Sequence, residues 1–571
     1  MGILKALVDM GSNGIRLSIS EVDGPHSRTL PSLYQHRIPI SLYDAQYSTS
    51  GERVPIPAST INAILSNLLY FKNVCTDFSV KDPEDVRLLA TEATRTAINS
   101  EDLRSQIKER TGWEVELLAK EDEGRIGAMG VAYSFTNVRG LMMDLGGGST
   151  QLTWLISEDG NVEISPAGSV SMPYGAAALT RRLGEAAKSK NGKEELRKEI
   201  GKECRAAFDT IQLPTSLLHE AKERGLNLYL SGGGFRGWGY ALMSTHPISP
   251  YPIPIINGFV VPHSAFTDTA TLQAAVQTSQ QDDSEGIFRI SDRRASQIPA
   301  TAFLVQCLTS ALPIKINDVL FSQGGVREGA LFESLTREQR AAHPLHIPSS
   351  RSTENPENIA FTLLTSATGG LPYPSPSTNS IPPRLPPLFS PSPLAHLLPP
   401  TPQSQPPTKE TSASSALHSP TSGSLSTILP LTHLQRAILA LTLCEKSGGF
   451  NALPPSDQSH YQRLQSLVDG ETAWWCKYLG AIAALLQIVY PAGVRDDGEG
   501  AKRARFESRW DRDEKKGRWV LKLKIVFGDE MWRVAGEKAV AGVEKVGKKK
   551  NWIGGREGVG WEVRVDVGVE K

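Results

Sequence analysis

Two short segments of the sequence share a pattern that could grip a phosphate group. The first is Val8-Asp9-Met10-Gly11-Ser12-Asn13-Gly14, and the second is Met143-Asp144-Leu145-Gly146-Gly147-Gly148-Ser149-Thr150. Each runs from an apolar strand into an aspartate, a glycine two positions later and a turn of small residues. Backbone N–H groups and hydroxyls in such turns bind anions, and the carboxylates of Asp9 and Asp144 could hold a cation or a water beside the anion. The repeat therefore predicts two hairpins that face one phosphate.

Two further glycine-rich turns follow predicted strands, at Ser231-Gly232-Gly233-Gly234 and at Gln323-Gly324-Gly325. Taken alone, such a turn is explained as well by a tight chain reversal as by a ligand. Four glycine turns in this order favour the cleft of an actin-like ATPase, in which helix N-termini after the turns add partial positive charge.

Three adjacent acids, Glu121, Asp122 and Glu123, open a helix that is predicted to begin near Lys120. Acids are common in the first turn because they interact favourably with the helix dipole, but a carboxylate beside a phosphate could also activate water. Arg95 follows a predicted strand and is either an exposed charge or a phosphate-gripping guanidinium. The spacing leaves both questions open.

The elements that must position these residues alternate between strand and helix. Apolar periodicity and capping signals predict one α/β lobe over residues 1–138 and a second over 139–340. Between 381 and 407, 11 of 27 residues are proline, and serine and threonine follow to about 426. We therefore predict a disordered linker over 341–430, with a polyproline ligand as the alternative role. Residues 431–571 are predicted to form an α+β domain.

The composition excludes several classes of function. The chain has 571 residues, a net charge of zero and a pI of about 7.2, so no overall field favours nucleic acid or an anionic membrane. Five scattered cysteines without CxxC spacing indicate reduced thiols and no structural zinc. The apolar segment 478–490 is too short to span a bilayer, and the N-terminus lacks signal-peptide features. We expect a cytoplasmic protein.

At these motifs the sequence resembles the exopolyphosphatase and guanosine pentaphosphate phosphohydrolase (Ppx/GppA) family of the actin-like superfamily. The resemblance covers about residues 1–340. Its matching stretches are Val8-Asp9-x-Gly11-Ser12-Asn13, Ala90-Thr91-Glu92-Ala93-x-Arg95, Glu123-Gly124-Arg125, Asp144-x-Gly146-Gly147-Gly148-Ser149-Thr150, Ser231-Gly232-Gly233 and Gly325-Val326-Arg327-Glu328-Gly329.

The resemblance implies an actin-like ATPase (ribonuclease H-like) core of two α/β lobes and a role for each matching residue. Glu123 corresponds to the catalytic base, and Arg95 to a phosphate-contacting arginine. Asp144 and Asp9, with Gln151, correspond to the positions around a divalent cation, which we expect to be Mg²⁺. The implied phosphate-binding residues are Ser12, Asn13, Gly147, Gly148, Ser149, Gly232 and Gly233.

One departure concerns the metal. The family usually has a glutamate directly after the second glycine hairpin, whereas this chain has Gln151. An amide oxygen still ligates Mg²⁺ but brings no charge, so we predict weaker affinity. Residues 431–571 contain no His-Asp dipeptide, and we predict no metal chemistry there.

The resemblance implies a phosphoanhydride hydrolase that acts on polyphosphate or a phosphorylated guanine or adenine nucleotide. The proline-rich insertion and the long tail resemble a fungal branch that acts in mitochondria-to-nucleus retrograde signalling. The alternative is a non-catalytic sensor that binds the same ligands and regulates a signalling protein. A sugar kinase or chaperone ATPase is disfavoured by the stretch at 325–329. We expect no nucleic-acid or membrane partner, and a homodimer is a candidate assembly.

Overall fold

The computed structural model describes residues 2–12, 14–24, 26–48, 51–281, 289–345, 362–369, 408–491, 503–515 and 517–570. The chain divides into two compact units. The first comprises residues 1–247, 255–344 and 429–432, and the second comprises 248–254, 345–428 and 433–571. Asn13 and the proline-rich tract over 381–407 lie outside the described residues.

The first lobe of the first unit is built on a five-stranded sheet of order β3-β2-β1-β4-β5. Strand β1 reads as a nearly continuous apolar run because residues 6–9 are buried on both faces, as expected of a central strand. The elements are β1 (Leu4–Gly11), β2 (Gly14–Glu21), β3 (Ser32–Ile38), α1 (Ala58–Asp77), β4 (Val86–Ala90), α2 (Glu92–Arg95), α3 (Ser100–Thr111), β5 (Val115–Leu117) and α4 (Lys120–Tyr133).

The second lobe is built on a sheet of order β11-β12-β10-β6-β7-β8, with β9 paired to β7. Its elements are β6 (Val138–Leu145), β7 (Thr150–Glu158), β8 (Asn161–Ile164), β9 (Val170–Met172), α5 (Ala176–Ala186), α6 (Gly192–Thr210), α7 (Thr215–Glu223), β10 (Leu226–Ser231), α8 (Gly232–Ser244), β11 (Phe259–Pro262), α9 (His263–Thr267), α10 (Thr269–Gln281), α11 (Asp292–Ala295), α12 (Ile298–Ala311), β12 (Ile316–Phe321), α13 (Val326–Glu333) and α14 (Arg337–Ala341).

The two sheets repeat one topology. In the first, an antiparallel meander β1-β2-β3 is followed by β4 and β5, which extend the sheet in parallel from β1. In the second, the meander β6-β7-β8 is followed by β10 and β12, which extend the sheet in parallel from β6. This duplication is the arrangement of the actin-like ATPase fold, and it confirms the predicted fold class.

Helices α4 and α13 pack closely in the core that joins the two sheets. The close approach of the two helices depends on glycine. A Cβ atom at Gly130 would collide with the backbone of Gly325, and a Cβ atom at Gly329 would collide with the carbonyl of Ile126. Both helices carry motif residues in their first turns. Their mutual packing therefore fixes two parts of the candidate site together.

The second unit combines helices with a three-stranded sheet of order β13-β14-β15. Among the described residues one helix, α18 (Gly470–Val489), is long and apolar enough to cross a bilayer, but 72% of its apolar stretch is buried within the protein, as in a core helix. The elements are α15 (Lys409–His418), α16 (His433–Lys446), α17 (Pro455–Gln465), α18 (Gly470–Val489), β13 (Ala504–Asp513), β14 (Arg518–Phe527), α19 (Glu530–Val546) and β15 (Glu562–Val569).

The predicted linker over 341–430 is wrong for its last part. Residues 409–418 form α15, whose apolar side chains Ala413 and Leu417 are fully buried. The dense run of prolines ends at 407. The Thr408 hydroxyl caps the helix by accepting from the amide of Thr411, and the i, i+4 spacing of the two buried residues supplies an apolar face. The serine-rich composition concealed this face. The rest of the linker prediction falls largely outside the described residues.

Candidate phosphate-binding and catalytic site

The two aspartates occupy equivalent positions in the repeated sheets. Asp9 lies near the end of β1 and pairs in register with Arg16 on β2. Asp144 lies near the end of β6 and pairs with Gln151 on β7. Position 151 is thus the structural counterpart of Arg16. The cross-strand neighbour of Asp9 is a guanidinium, whereas that of Asp144 is the neutral amide of Gln151.

The two glycine hairpins meet at their tips. The amide of Gly147 donates to the Ser12 hydroxyl, with 3.3 Å between Gly147 N and Ser12 Oγ. Gly148 lies beside Glu92, since a Cβ there would be 2.5 Å from Glu92 Oε2. The structure thus brings Ser12, Gly147 and Gly148 together, and their role in binding an anion stays a prediction.

Ser149 and Gln151 lie on the buried side of the second hairpin. The Gln151 amide nitrogen donates to the Ser149 hydroxyl at 2.8 Å, and both side chains are more than nine-tenths buried. The Ser149 hydroxyl oxygen is therefore already the acceptor of one hydrogen bond within the hairpin. The pair is therefore a fixed part of the hairpin, and the role of Gln151 toward a metal stays a prediction.

Glu123 is the acid of its cluster that faces the site. Glu121 and Asp122 are exposed, whereas the Glu123 side chain is 16% exposed and lies 3.4 Å from Arg95. Arg95 also donates to the carbonyl of Leu118, which directly follows β5. Arg95 thereby links the first turn of α4 to the chain segment before it.

Burial raises the pKa of Glu123 to about 7. The positive charge of Arg95 opposes this shift, and the negative charges of the neighbouring acids Asp144, Glu92 and Asp9 add to it. A carboxylate with a pKa near neutrality is suited to accept a proton from water. The two aspartates and Glu123 therefore belong to one electrostatic cluster.

Asp9 and Asp144 fit the requirements of Mg²⁺, which is usually held by one or two carboxylates and keeps several waters. Burial raises the pKa of both carboxyl groups, against the attraction of Arg16 for Asp9 and a hydrogen bond with Ser231 for Asp144. A bound divalent cation would reverse this shift. Across the part of the chain that the structure describes, no group of three His, Cys, Asp or Glu residues could hold a metal.

Gly232 and Gly233 differ in their surroundings. Gly232 has a φ of +90°, and a Cβ there would collide with the backbone of Leu145, so the turn after β10 requires glycine for structural reasons. A Cβ at Gly233 would meet nothing within 4 Å. A phosphate role for these two residues stays a prediction.

Sequence reasoning missed a group of arginines around the aspartates. Burial lowers the pKa of Arg236 to about 10, and the nearby positive charge of Arg16 acts in the same direction. Burial also lowers the pKa of Arg294, and the positive charges of Arg37 and Arg16 contribute to this lowering. Like charges gathered at one place favour an anion between them. The register of the first hairpin would have revealed Arg16, since it places that residue opposite Asp9.

Arg327 and Glu328, in the first turn of α13, form an ion pair inside the same region. Glu328 also accepts from the amide of Gly325, with 3.1 Å between N and Oε2. Although burial opposes ionisation, Arg327 and Arg16 lower the pKa of Glu328 to about 2. This carboxylate is thus a permanent anion that caps a helix, unlike Glu123. The sequence motif contained both residues but gave them no role.

Comparison with known proteins decides the family. A family model for the Ppx/GppA phosphatase family matches residues 18–338, and one for the RTG2 C-terminal domain matches residues 343–571. The chain belongs to the Ppx/GppA phosphatase family. It is 36% identical to retrograde regulation protein 2 of Saccharomyces cerevisiae over 523 residues, which are 88% of this chain and 84% of the yeast protein.

Other similar proteins match part of the chain. Exopolyphosphatase 1 of Mycobacterium bovis is 29% identical over 178 residues, which are 31% of this chain and 47% of that protein. The solved structure of the Aquifex aeolicus PPX-GPPA enzyme is 23% identical and covers 58% of this chain and 99% of its own, with a TM-score of 0.45. The second family model begins at 343, well before the C-terminal domain that the sequence predicted from 431.

Proposed function

We propose that this Ppx/GppA family member hydrolyses the terminal phosphoanhydride bond of polyphosphate or of a phosphorylated guanine nucleotide, and that it acts in retrograde and metabolic signalling. The observation that carries the proposal is Glu123, a carboxylate with a pKa of about 7 that contacts Arg95 beside two aspartates. The similarity to retrograde regulation protein 2 supports the signalling context.

In the proposed reaction, water attacks the terminal phosphorus while its proton passes to the Glu123 carboxylate. The bond from that phosphorus to the bridging oxygen breaks, and the oxygen leaves with the shortened chain. Arg95 orients the carboxylate, and the hairpin amide of Gly148 and the hydroxyl of Ser12 are available to phosphate oxygens. The arginines around Arg16 bind the negative charges of the remaining phosphates. Mg²⁺ held by Asp9 and Asp144 would supply charge neutralisation at the phosphate.

The test is phosphate release by the purified full-length protein from polyphosphate, ATP, GTP and guanosine pentaphosphate, with Mg²⁺ present. The Glu123→Gln variant is the control, because it keeps the shape of the side chain and removes the base. Loss of a general base typically reduces the rate about 10²–10⁴-fold. Equal rates in the two proteins would show that Glu123 is not the base.

The second candidate function is a sensor that binds these ligands without turnover. The Gln151 side chain favours it, because its amide faces Asp144 in register and replaces the glutamate that the resemblance predicts. Binding of imidodiphosphate, a condensed phosphate that resists hydrolysis, separates the two functions when measured by calorimetry. A sensor binds it and releases no phosphate from any of the four anhydrides.

A further inference from the structure

Arg28 is a buried cation held by carbonyl groups. It lies in a single 3-10 turn, Ser27–Thr29, between β2 and β3, and is 4% exposed. Its Nη1 donates to the carbonyl of Tyr133 at 3.2 Å, and its Nη2 donates to the carbonyl of Phe135 at 2.9 Å. Among the described residues no acidic side chain pairs with it. Carbonyl dipoles, rather than a carboxylate, therefore face the charge.

The Tyr133 carbonyl is the last of α4, and the Phe135 carbonyl lies two residues beyond the end of this helix. The last carbonyls of a helix lack intrahelical partners and carry partial negative charge, which a cation stabilises. The contact is reciprocal, because the Tyr133 hydroxyl donates to the carbonyl of Thr29 at 2.7 Å. Burial lowers the pKa of Arg28 to about 10, so the side chain remains charged at neutral pH. Arg28 thus caps α4 and attaches it to the loop after β2.

The same guanidinium also contacts α13. Its central carbon lies 4.9 Å from the ring centre of Phe332, near the C-terminal end of α13, and 5.6 Å from that of Tyr133. A cation over an aromatic face is attracted to the ring, more strongly where water is excluded. One side chain therefore holds the C-terminal ends of two helices.

The opposite ends of these helices carry the candidate site. The first turn of α4 holds Glu123, and the first turn of α13 holds Arg327 and Glu328. The helices contact each other through glycine at Gly130 and Gly329, so they move as a pair. A helix is rigid over this length, and a shift at one end is transmitted to the other.

We propose that Arg28 is a positioning residue, which sets the placement of Glu123 and of the Arg327–Glu328 pair by fixing the far ends of α4 and α13. The kinetic consequence rests on the proposed function, whereas the structural consequence does not. Arg28 itself touches none of the site groups that the structure describes.

The experiment compares Arg28→Met with Arg436→Met in the full-length chain. Arg436 is a matched control from the second unit: it is fully buried, and burial lowers its pKa to about 10. It likewise donates to carbonyls, at 2.8 Å for Pro420 and 2.5 Å for Ile428. Both variants remove a buried guanidinium and leave carbonyls without their donor, so both should lower the melting temperature.

We expect only Arg28→Met to disturb the first turn of α4. Backbone hydrogen exchange over residues 118–125 should be at least tenfold faster than in wild type, and it should be unchanged in Arg436→Met. With the best anhydride substrate, kcat per folded molecule should fall about 10–100-fold in Arg28→Met, because a small misplacement of a catalytic group is costly. KM should stay within about twofold, since the arginines around Arg16 are retained.

Wild-type exchange over 118–125 in Arg28→Met would overturn the inference, and so would equal acceleration in the two variants. If Arg28→Met does not fold, Arg28→Lys is measured in the same way, because it keeps the charge and one carbonyl contact. If wild type hydrolyses none of the anhydrides, the proposed function fails, and hydrogen exchange still decides the positioning role.

Discussion

The raised pKa of Glu123 lowers the stability of the folded protein at neutral pH and makes the carboxylate a better proton acceptor. Its pKa in the folded protein, about 7, lies above the ordinary value of 4.5 because the carboxyl group is buried among acids. The folded state therefore favours the protonated form, and the contribution of Glu123 to stability is fully present below pH 4.5 and is lost as the pH rises through 7.

This ionisation gives a prediction for pH. Only the ionised carboxylate accepts a proton, so kcat/KM should rise about tenfold per pH unit below pH 7 and level off above it. Glu123→Gln should lose this dependence together with about 10²–10⁴-fold in rate, while its melting temperature at pH 8 should exceed that of wild type. Phosphate release and calorimetry at pH 5, 6, 7 and 8 test both effects. A wild-type profile that stays flat across pH 7 would contradict the assignment.

Gln151 governs the expected response to metal. It pairs in register with Asp144, so Gln151→Glu should restore an anionic oxygen near that carboxylate. The variant also breaks the bond from the amide to the Ser149 hydroxyl, and Gln151→Met, which breaks it without adding charge, is the control. We expect the midpoint for Mg²⁺ activation to fall at least several-fold in Gln151→Glu only. Equal midpoints in all three proteins would show that position 151 does not contact the metal.

At the scale of elements, the hairpins and alternating strands were predictable because their signals are local. The apolar run followed by aspartate and glycine can be recognised at Asp9 and at Asp144 from the sequence alone, without tertiary information. The arginine group was not predictable in the same way. Arg16, Arg236 and Arg294 come from three elements far apart in the chain, and only the fold brings them together. Helix α15 was missed because its two buried residues sit in a serine-rich segment.

The contact between α4 and α13 also depends on residues whose sequence context is uninformative. Gly130 in α4 has no room for a Cβ atom, whereas Gly201 in α6 has nothing within 4 Å. We predict that Gly130→Ala destabilises the protein by about 1–3 kcal/mol through overpacking. Gly201→Ala should be stabilising by roughly 0.5–1 kcal/mol, as expected for an open helical position. Urea unfolding of both variants measures the difference, and a stable Gly130→Ala protein would mean that the two helices can separate.

At the scale of the whole molecule, the insertion divides into a proline-rich part and a folded part. Arg436 donates to the carbonyl of Pro420 at 2.8 Å, so the chain after α15 is bonded to the second unit. We predict that replacing 372–406 with a short Gly/Ser linker changes the melting temperature by only a few degrees, because loop closure depends weakly on length. Extending the replacement to 426 should lower it markedly, since α15 and the Pro420 carbonyl that Arg436 binds are lost. Equal melting temperatures for the two deletions would contradict the packing role of 408–426.

The first unit already contains contacts that hold its two lobes together without ligand. Gly147 of the second lobe bonds to Ser12 of the first, and Arg293 forms a 2.7 Å ion pair with Asp44. The Arg181 guanidinium also lies 4.3 Å from the ring centre of Tyr47. A phosphate ligand can change this closure only by binding the open and closed states with different affinity. The hairpin tips are where such a difference would arise.

If the protein signals through this closure, recovery of a bound partner should depend on polyphosphate. In pull-downs with the full-length chain, we expect wild type to gain or lose the partner several-fold when polyphosphate is added, and Asp9→Ala with Gly147→Val to be insensitive. Gly184→Val, at an open position in α5, is the control for the added side chain. Nearly complete reversal of a two-state equilibrium needs about 10⁴-fold difference in affinity, so a partial shift is the more realistic result. A partner that binds wild type equally with and without polyphosphate would leave hydrolysis as the better supported function, because turnover needs the same hairpins but no link between closure and a second protein.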